Sequence, residues 1–191
     1  MLPTLEPMAS RPRKKRSFPS PRIAVVYSRY NHSITESLVL AAVETCAERT
    51  GYTPAVFEAP GSYELTALCM AAARTGRFDG VVALGCIIKG ETSHDQHIAQ
   101  AVAHGLTNVT LLTDVPVAFG VLTTNNAKQA RERAGLGKDP SANKGHEAMT
   151  ALLDTIVSTH IIHPPELAAE ITADGGLAPR PDKAARGGRR R

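Results

Sequence analysis

The sequence predicts an α/β fold: a three-layer αβα sandwich with a four-stranded parallel sheet at its centre. Three observations predict it. Four short runs have the near-continuous Val/Ile/Ala/Leu character of strands covered on both faces. The segments between them carry a helical period. The two kinds alternate in spans of about thirty residues, which favours right-handed crossovers and a parallel sheet.

The elements follow in order. RIAVVY (22–27) is the first strand. After it Ile34, Leu38, Ala42 and Cys46 recur every four residues, and Ser33 with Glu36 forms a Ser-x-x-Glu capping box that predicts a helix starting there. YTPAVFEA (52–59) is the second strand and SYELTALCMAAAR (62–74) the helix behind it. FDGVVALGCII (78–88) is the third strand, followed by the helix HDQHIAQAVAHGL (94–106). VPVAFGVLTT (115–124) is the fourth strand. A short helix near 126–134 follows it, then a longer one near 143–162 with Met149, Leu152, Leu153 and Ile156 on one face. The arrangement expected is flavodoxin-like, and in such sheets ligands bind outside the carboxyl ends of the strands.

Composition bounds the function. The chain has 191 residues, 42% of them hydrophobic, enough for one domain with a sizeable core. No apolar run approaches the ~20 residues needed to span a bilayer. The basic N-terminal stretch is followed by no apolar segment of a secretory signal, so a cytoplasmic location is expected and a membrane partner is not. A pI of about 9.1 suggests nucleic acid until the charges are placed. Residues 23–163 hold 10 basic and 13 acidic side chains, so the basicity belongs to the ends. Three regions are therefore expected. Residues 1–21 are a disordered basic extension, 22–163 the folded domain, and 164–191 a disordered tail rich in Pro, Gly and Arg. PRKKR and GGRRR read as solvated ends, which disfavours a nucleic-acid partner. Cys46, Cys69 and Cys86 are too scattered for a disulfide framework or a metal knuckle and read as small buried residues in a reducing compartment.

The strand ends carry the chemistry. They bring Ser28-Arg29-Tyr30-Asn31-His32, Ala59-Pro60-Gly61-Ser62-Tyr63-Glu64, Lys89-Gly90-Glu91-Thr92-Ser93-His94, and Phe119 with Thr123-Thr124 towards one rim. Tyr30 offers a stacking platform for a heterocycle, or else packs as a rim aromatic. Glu64 suits sugar hydroxyls, or else only the positive end of its helix. Gly90 to His94 form an anion cradle at a helix N-terminus, with Glu91 using its backbone N–H and its carboxylate turned away. His94 and His97 lie three apart, but no third ligand of a metal motif accompanies them, so no metal is expected. His94 reads as a proton carrier, and His97 and His104 as helix-surface residues.

Four motifs, SRYNHSIT (28–35), APGSYEL (59–65), ALGCIIKGETSH (83–94), and FGVLTTNNAKQARERAG (119–135) followed by NKGHEA (143–148), together resemble the lumazine synthase family of riboflavin biosynthesis. They occur in order across the whole central domain. The resemblance implies a transferase without cofactor or metal. It condenses 5-amino-6-(ribitylamino)uracil with 3,4-dihydroxy-2-butanone 4-phosphate to 6,7-dimethyl-8-ribityllumazine, expelling phosphate and water. It implies Tyr30 as the ring that stacks on the pyrimidine; Ser62, Tyr63 and Glu64 as the ribityl-binding turn; and Cys86, Ile87 and Ile88 as the rim at the uracil. It implies Glu91, Thr92 and Arg133 as phosphate contacts, His94 as the proton donor and Phe119 as a wall of the site. It further implies a homo-oligomer, at least a pentamer, with sites between subunits and Phe119 and Arg133 facing the adjoining chain's pocket. The Leu-Gly-Lys-Asp-Pro-Ser-Ala stretch between Gly135 and Asn143 is longer than the kink typical of shell-forming members, so a free pentamer or a pair of pentamers is expected rather than a shell. Tyr63 and Thr66 stand where phenylalanine and proline are frequent in the family, Lys89 where arginine is, and Asp95 where an aromatic follows the histidine. Asp95 is expected to bear on how His94 is oriented or on how acidic it is. A non-catalytic flavin- or lumazine-binding protein on the same scaffold is the alternative, against which the joint presence of His94 and Arg133 argues.

Overall fold

The structure, a computed structural model, describes residues 20–163. The disorder expected of the two ends therefore falls, but for residues 20 and 21, outside the described residues. In chain order the elements are β1 (Ile23–Ser28), α1 (His32–Thr50), β2 (Ala55–Ala59), α2 (Leu65–Arg74), β3 (Gly80–Ile88), α3 (His94–Thr113), β4 (Val117–Thr124), α4 (Ala127–Arg133), a 3-10 turn (Pro140–Ala142) and α5 (Lys144–Ile162). The strands form one parallel sheet in the order β2-β1-β3-β4. No helix among the described residues is long and apolar enough to cross a membrane.

Alternation along each strand sorts the core into two layers. Ile23 and Val25 of β1, with Val82, Leu84 and Cys86 of β3, pack under α1 and α5. Ala24 and Val26, with Val81, Ala83 and Ile87, pack under α2 and α3. Both faces are thus covered, as the continuous apolar runs predict.

The first crossover carries β1 outward to β2, and the second carries the chain back past β1 to β3. The strand order reverses between β1 and β3, which puts the crevice of the fold at their carboxyl ends.

Helix boundaries show where tertiary contacts override local signals. The Ser33/Glu36 capping box does not form. The cap of α1 is Asn31, left-handed at φ 60° and ψ 44°, whose side chain makes no capping bond. Its carbonyl accepts from Ile34 N at 2.9 Å and Thr35 N at 3.2 Å. Asparagine tolerates this backbone better than most residues, and its side chain is taken by a longer-range bond. Helix α2 begins at Leu65, because Ser62 to Glu64 form a turn ahead of it. Helix α3 runs on to Thr113, beyond the predicted 106, because Val109 extends the buried stripe of Val102 and Leu106.

Helix α5 is tied down where it begins. Asn143 caps it by accepting from Gly145 N at 2.8 Å, and its Nδ2 donates to Ala134 O at 2.8 Å and Ser37 O at 3.2 Å. Gly145 lies so close to α1 that a Cβ there would overlap the backbone carbonyl of Leu38. Backbone cannot yield as a side-chain tip can. Gly145→Ala is therefore expected to destabilise the fold by about 2 kcal/mol or more, within or above the usual range for overpacking. Urea denaturation of this variant beside the parent protein measures the loss, and equal midpoints would refute the crossing argument.

Candidate active site

Three loops assemble at the β1/β3 crevice. The first leaves β1 through Arg29, Tyr30 and Asn31. Arg29 N donates to Ala59 O at 2.8 Å, which continues the β1–β2 pairing one residue past the strand. The Arg29 guanidinium lies 3.4 Å from the Glu58 carboxylate, and that carboxylate also accepts from the Tyr27 hydroxyl at 2.9 Å. This hydrogen bond to Glu58, aided by burial and by nearby negative charge, raises the pKa of the Tyr27 phenol. On the other side of Tyr30, Asn31 Nδ2 donates to Cys86 O at 2.9 Å, stitching the end of β1 to the end of β3. Tyr30 sits between these two anchors, 73% exposed, with its ring free to receive a planar group.

The second loop is Gly61 to Glu64. Ser62 is buried and donates from its hydroxyl to Ser28 Oγ at 3.3 Å. The turn lies directly over β3, where a Cβ on Gly85 would come within 2.9 Å of Ser62 Oγ and 3.1 Å of Leu65 Cδ1. Tyr63 is 62% exposed. Glu64 is the N-cap residue of α2, one place ahead of the helix rather than within its first turn. Its carboxylate folds back over Gly61, whose missing side chain leaves the space it occupies.

The third loop runs from β3 into α3. Lys89 N donates to Thr124 O at 2.8 Å, holding the loop against β4. Ser93 caps α3 without a side-chain bond, and Glu91, Thr92 and His94 are exposed. The Thr92 hydroxyl lies 2.6 Å from His94 Nδ1. Asp95 does not orient the imidazole as the sequence suggests. It is 5% exposed, falls on the buried stripe of α3 with Val102, Leu106 and Val109, and its Oδ1 has no hydrogen-bond partner among the described residues. The neighbour that touches the ring is Thr92. His97 and His104 lie on the exposed face of α3, as expected.

Cys86, Ile87 and Ile88 close the floor, the first two buried and the third half-buried. Burial pushes the Cys86 thiol up to about 11 and the Cys69 thiol to about 12. No group of three or more His, Cys, Asp or Glu among the described residues is placed to hold a metal ion.

Phe119 and Arg133 lie elsewhere. Phe119 pairs with Ala83 in the middle of the edge strand β4, five residues before Thr124 and so roughly 16 Å down the sheet from the rim. The expectation that it joins the rim of its own chain is thereby corrected. It is 48% exposed and lines a groove of about 370 Å³ between β4, α4 and α5, together with Arg133, Lys144 and Glu147. Apart from Phe119 and Thr123, none of the residues expected at the rim lines that groove. Lys144 and Glu147, paired at 2.6 Å, lie in the NKGHEA motif, but their sequence alone assigns them no role. A cation and an anion three apart in a first helical turn look like ordinary surface residues until the fold places them beside an arginine and an exposed phenylalanine.

Comparison with known proteins settles the kinship. A family profile described as 6,7-dimethyl-8-ribityllumazine synthase matches residues 20–159. The chain belongs to the 6,7-dimethyl-8-ribityllumazine synthase family. It is 44% identical over 138 residues to 6,7-dimethyl-8-ribityllumazine synthase 1 of Caulobacter vibrioides, covering 71% of this chain and 88% of that protein. To the synthase of Deinococcus radiodurans it is 43% identical, covering 70% of this chain and 86% of the relative. To that of Edwardsiella ictaluri it is 44% identical, covering 72% and 88%. The span shared with the lumazine synthases contains both the rim and the groove.

The raised thiols carry a pH prediction. Burial disfavours the thiolate, so at about pH 8 neither Cys69 nor Cys86 is a competent nucleophile towards a disulfide reagent. The native protein is expected to react slowly at both sites, and fully only after unfolding. Rapid native labelling of either residue, located by peptide mass mapping, would contradict this.

Proposed function

We propose that the rim of one copy and the groove of a neighbouring copy together form the site at which this lumazine synthase works. The reaction joins 5-amino-6-(D-ribitylamino)uracil to 3,4-dihydroxy-2-butanone 4-phosphate, giving 6,7-dimethyl-8-ribityllumazine, phosphate and water. One observation carries the two-copy reading. The aromatic wall and the arginine line a groove on the β4 edge, while the histidine, the polyol carboxylate and the stacking tyrosine stand at the β1/β3 crevice.

On this reading Tyr30 stacks on the pyrimidine and Ser62, Tyr63 and Glu64 take the ribityl chain. Cys86, Ile87 and Ile88 border the uracil. Glu91, through its backbone, and Thr92 meet the phosphate, and the partner copy supplies Arg133 and Phe119. The planar fork of a guanidinium matches phosphate oxygens better than an ammonium does.

The amine of the pyrimidine attacks the ketone to form an imine, releasing a first water. Phosphate then leaves by elimination, and ring closure with loss of a second water follows. Holding two reactants together supplies most of the acceleration, since effective molarities are worth up to about 7–11 kcal/mol, whereas proton transfer by His94 adds about 10²- to 10⁴-fold. The assembly is a ring of five or a pair of such rings in the cytoplasm. The catalytic unit is residues 22–163, and the ends are accessory.

His94→Ala is expected to slow product formation by about 10²-fold or more without abolishing it. Arg133→Ala mainly raises KM for the phosphorylated substrate. Lumazine fluorescence in steady state reads both, and an Arg133→Ala enzyme with ordinary Michaelis constants would refute the phosphate role.

Mixing the two variants tests the shared site. In a ring where each site draws on two neighbours, random mixing of equal amounts recreates about a quarter of intact sites. At limiting phosphorylated substrate, co-assembled His94→Ala and Arg133→Ala chains should therefore exceed the activity of either impaired variant alone. A mixture no better than its components would place both residues in one chain's site.

A further inference from the structure

We propose that Thr92 is a positioning residue that couples occupancy of the phosphate site to the tautomer of His94. The inference rests on the reading above, in which Thr92 meets the phosphate group. Its observation is the 2.6 Å contact between Thr92 Oγ1 and His94 Nδ1, on a loop where both residues are exposed to an incoming ligand. Asp95, the adjacent carboxylate, is buried with its Oδ1 unpartnered among the described residues, and the contact at Nδ1 is with Thr92. Gly90 lies beside the ring, where a Cβ would be in van der Waals contact with His94 Cε1 at 3.5 Å, so the glycine leaves that space open.

A hydroxyl has one proton to donate, while its oxygen accepts. With no anion present, Thr92 donates to Nδ1, and the neutral ring carries its proton on Nε2. A phosphate oxygen is charged and is the stronger acceptor, so it takes the hydroxyl hydrogen bond. Thr92 Oγ1 then accepts, and Nδ1 must carry the proton. The change is neutral overall: one proton passes from Nε2 to solvent, and one passes from solvent to Nδ1. Nε2 is left with its lone pair.

The histidine is therefore a base while phosphate is held and an acid once it has gone. That order suits the steps after imine formation, in which phosphate is expelled before the water of ring closure. Nε2 accepts a proton during elimination of phosphate. A proton on Nε2 is later available for the hydroxyl that departs as water.

The test uses the full chain labelled with 15N-histidine, at about pH 8, where an ordinary imidazole is neutral. The ring-nitrogen shifts of His94 are assigned by their loss in His94→Gln. Saturating inorganic phosphate is expected to exchange the protonated and unprotonated nitrogens of this ring. Thr92→Val, which keeps the shape and removes the hydroxyl, abolishes the exchange, and Thr92→Ser restores it. Thr92→Val also lowers kcat by about 10- to 100-fold, part of what a positioned proton carrier supplies, and Thr92→Ser recovers most of that loss. Calorimetry on the same samples reports phosphate binding. Phosphate that binds without moving the proton overturns the coupling alone, as does a Thr92→Val protein that responds like the parent. Failure of phosphate to bind at all overturns the assigned phosphate site and the coupling with it.

Discussion

Strand β3 is covered on both sides, and the rest of the structure depends on that burial. Eight of its nine residues are buried, and Gly80, Gly85 and Gly120 are where helices, turns and neighbouring strands press closest. A strand enclosed in this way has no face left for a ligand. Chemistry is displaced to its carboxyl end, where the backbone must leave the sheet and its polar groups need partners. The crevice between β1 and β3 is the result, and Asn31 spans it.

Asn31 shows how backbone geometry serves the site. Its left-handed conformation turns the chain out of β1, its carbonyl starts α1, and its amide holds the carbonyl of Cys86. With Arg29 tied to Ala59 and Glu58 on the other side, Tyr30 is presented from a short segment fixed at both ends. An exposed aromatic on a mobile loop would lose entropy when it stacked; one held from both sides loses less. The hydroxyl–imidazole pair at Thr92 and His94 applies the same principle to a proton, because the partner of one ring nitrogen decides what the other can do.

Much of this was legible in the residues themselves. The four strands, five helices and parallel order follow from apolar runs and their spacing. His94 and Glu64 stood out because polar, titratable groups immediately after buried strands are where α/β folds keep function. The capping box at Ser33 was legible and wrong, because a four-residue signal knows nothing of the carbonyl at Cys86, more than fifty residues away, that claims Asn31. Asp95 was noticed for its neighbour, but helix phase turns it into the core. Lys144 and Glu147 went unassigned, because nothing in their local pattern separates a solvated pair from one that lines a groove.

The sequence by itself determined the architecture, since alternation and period are properties of adjacent residues and each element carries its own instructions. It also determined, through four motifs in order, the family. The tertiary structure alone decided which residues meet. It put Tyr30, Glu64 and His94 around one crevice and left Phe119 and Arg133 on the β4 edge. The reason is physical: register and crossover fix how far along the sheet a side chain lies, and these are set by pairings between strands that no single segment encodes.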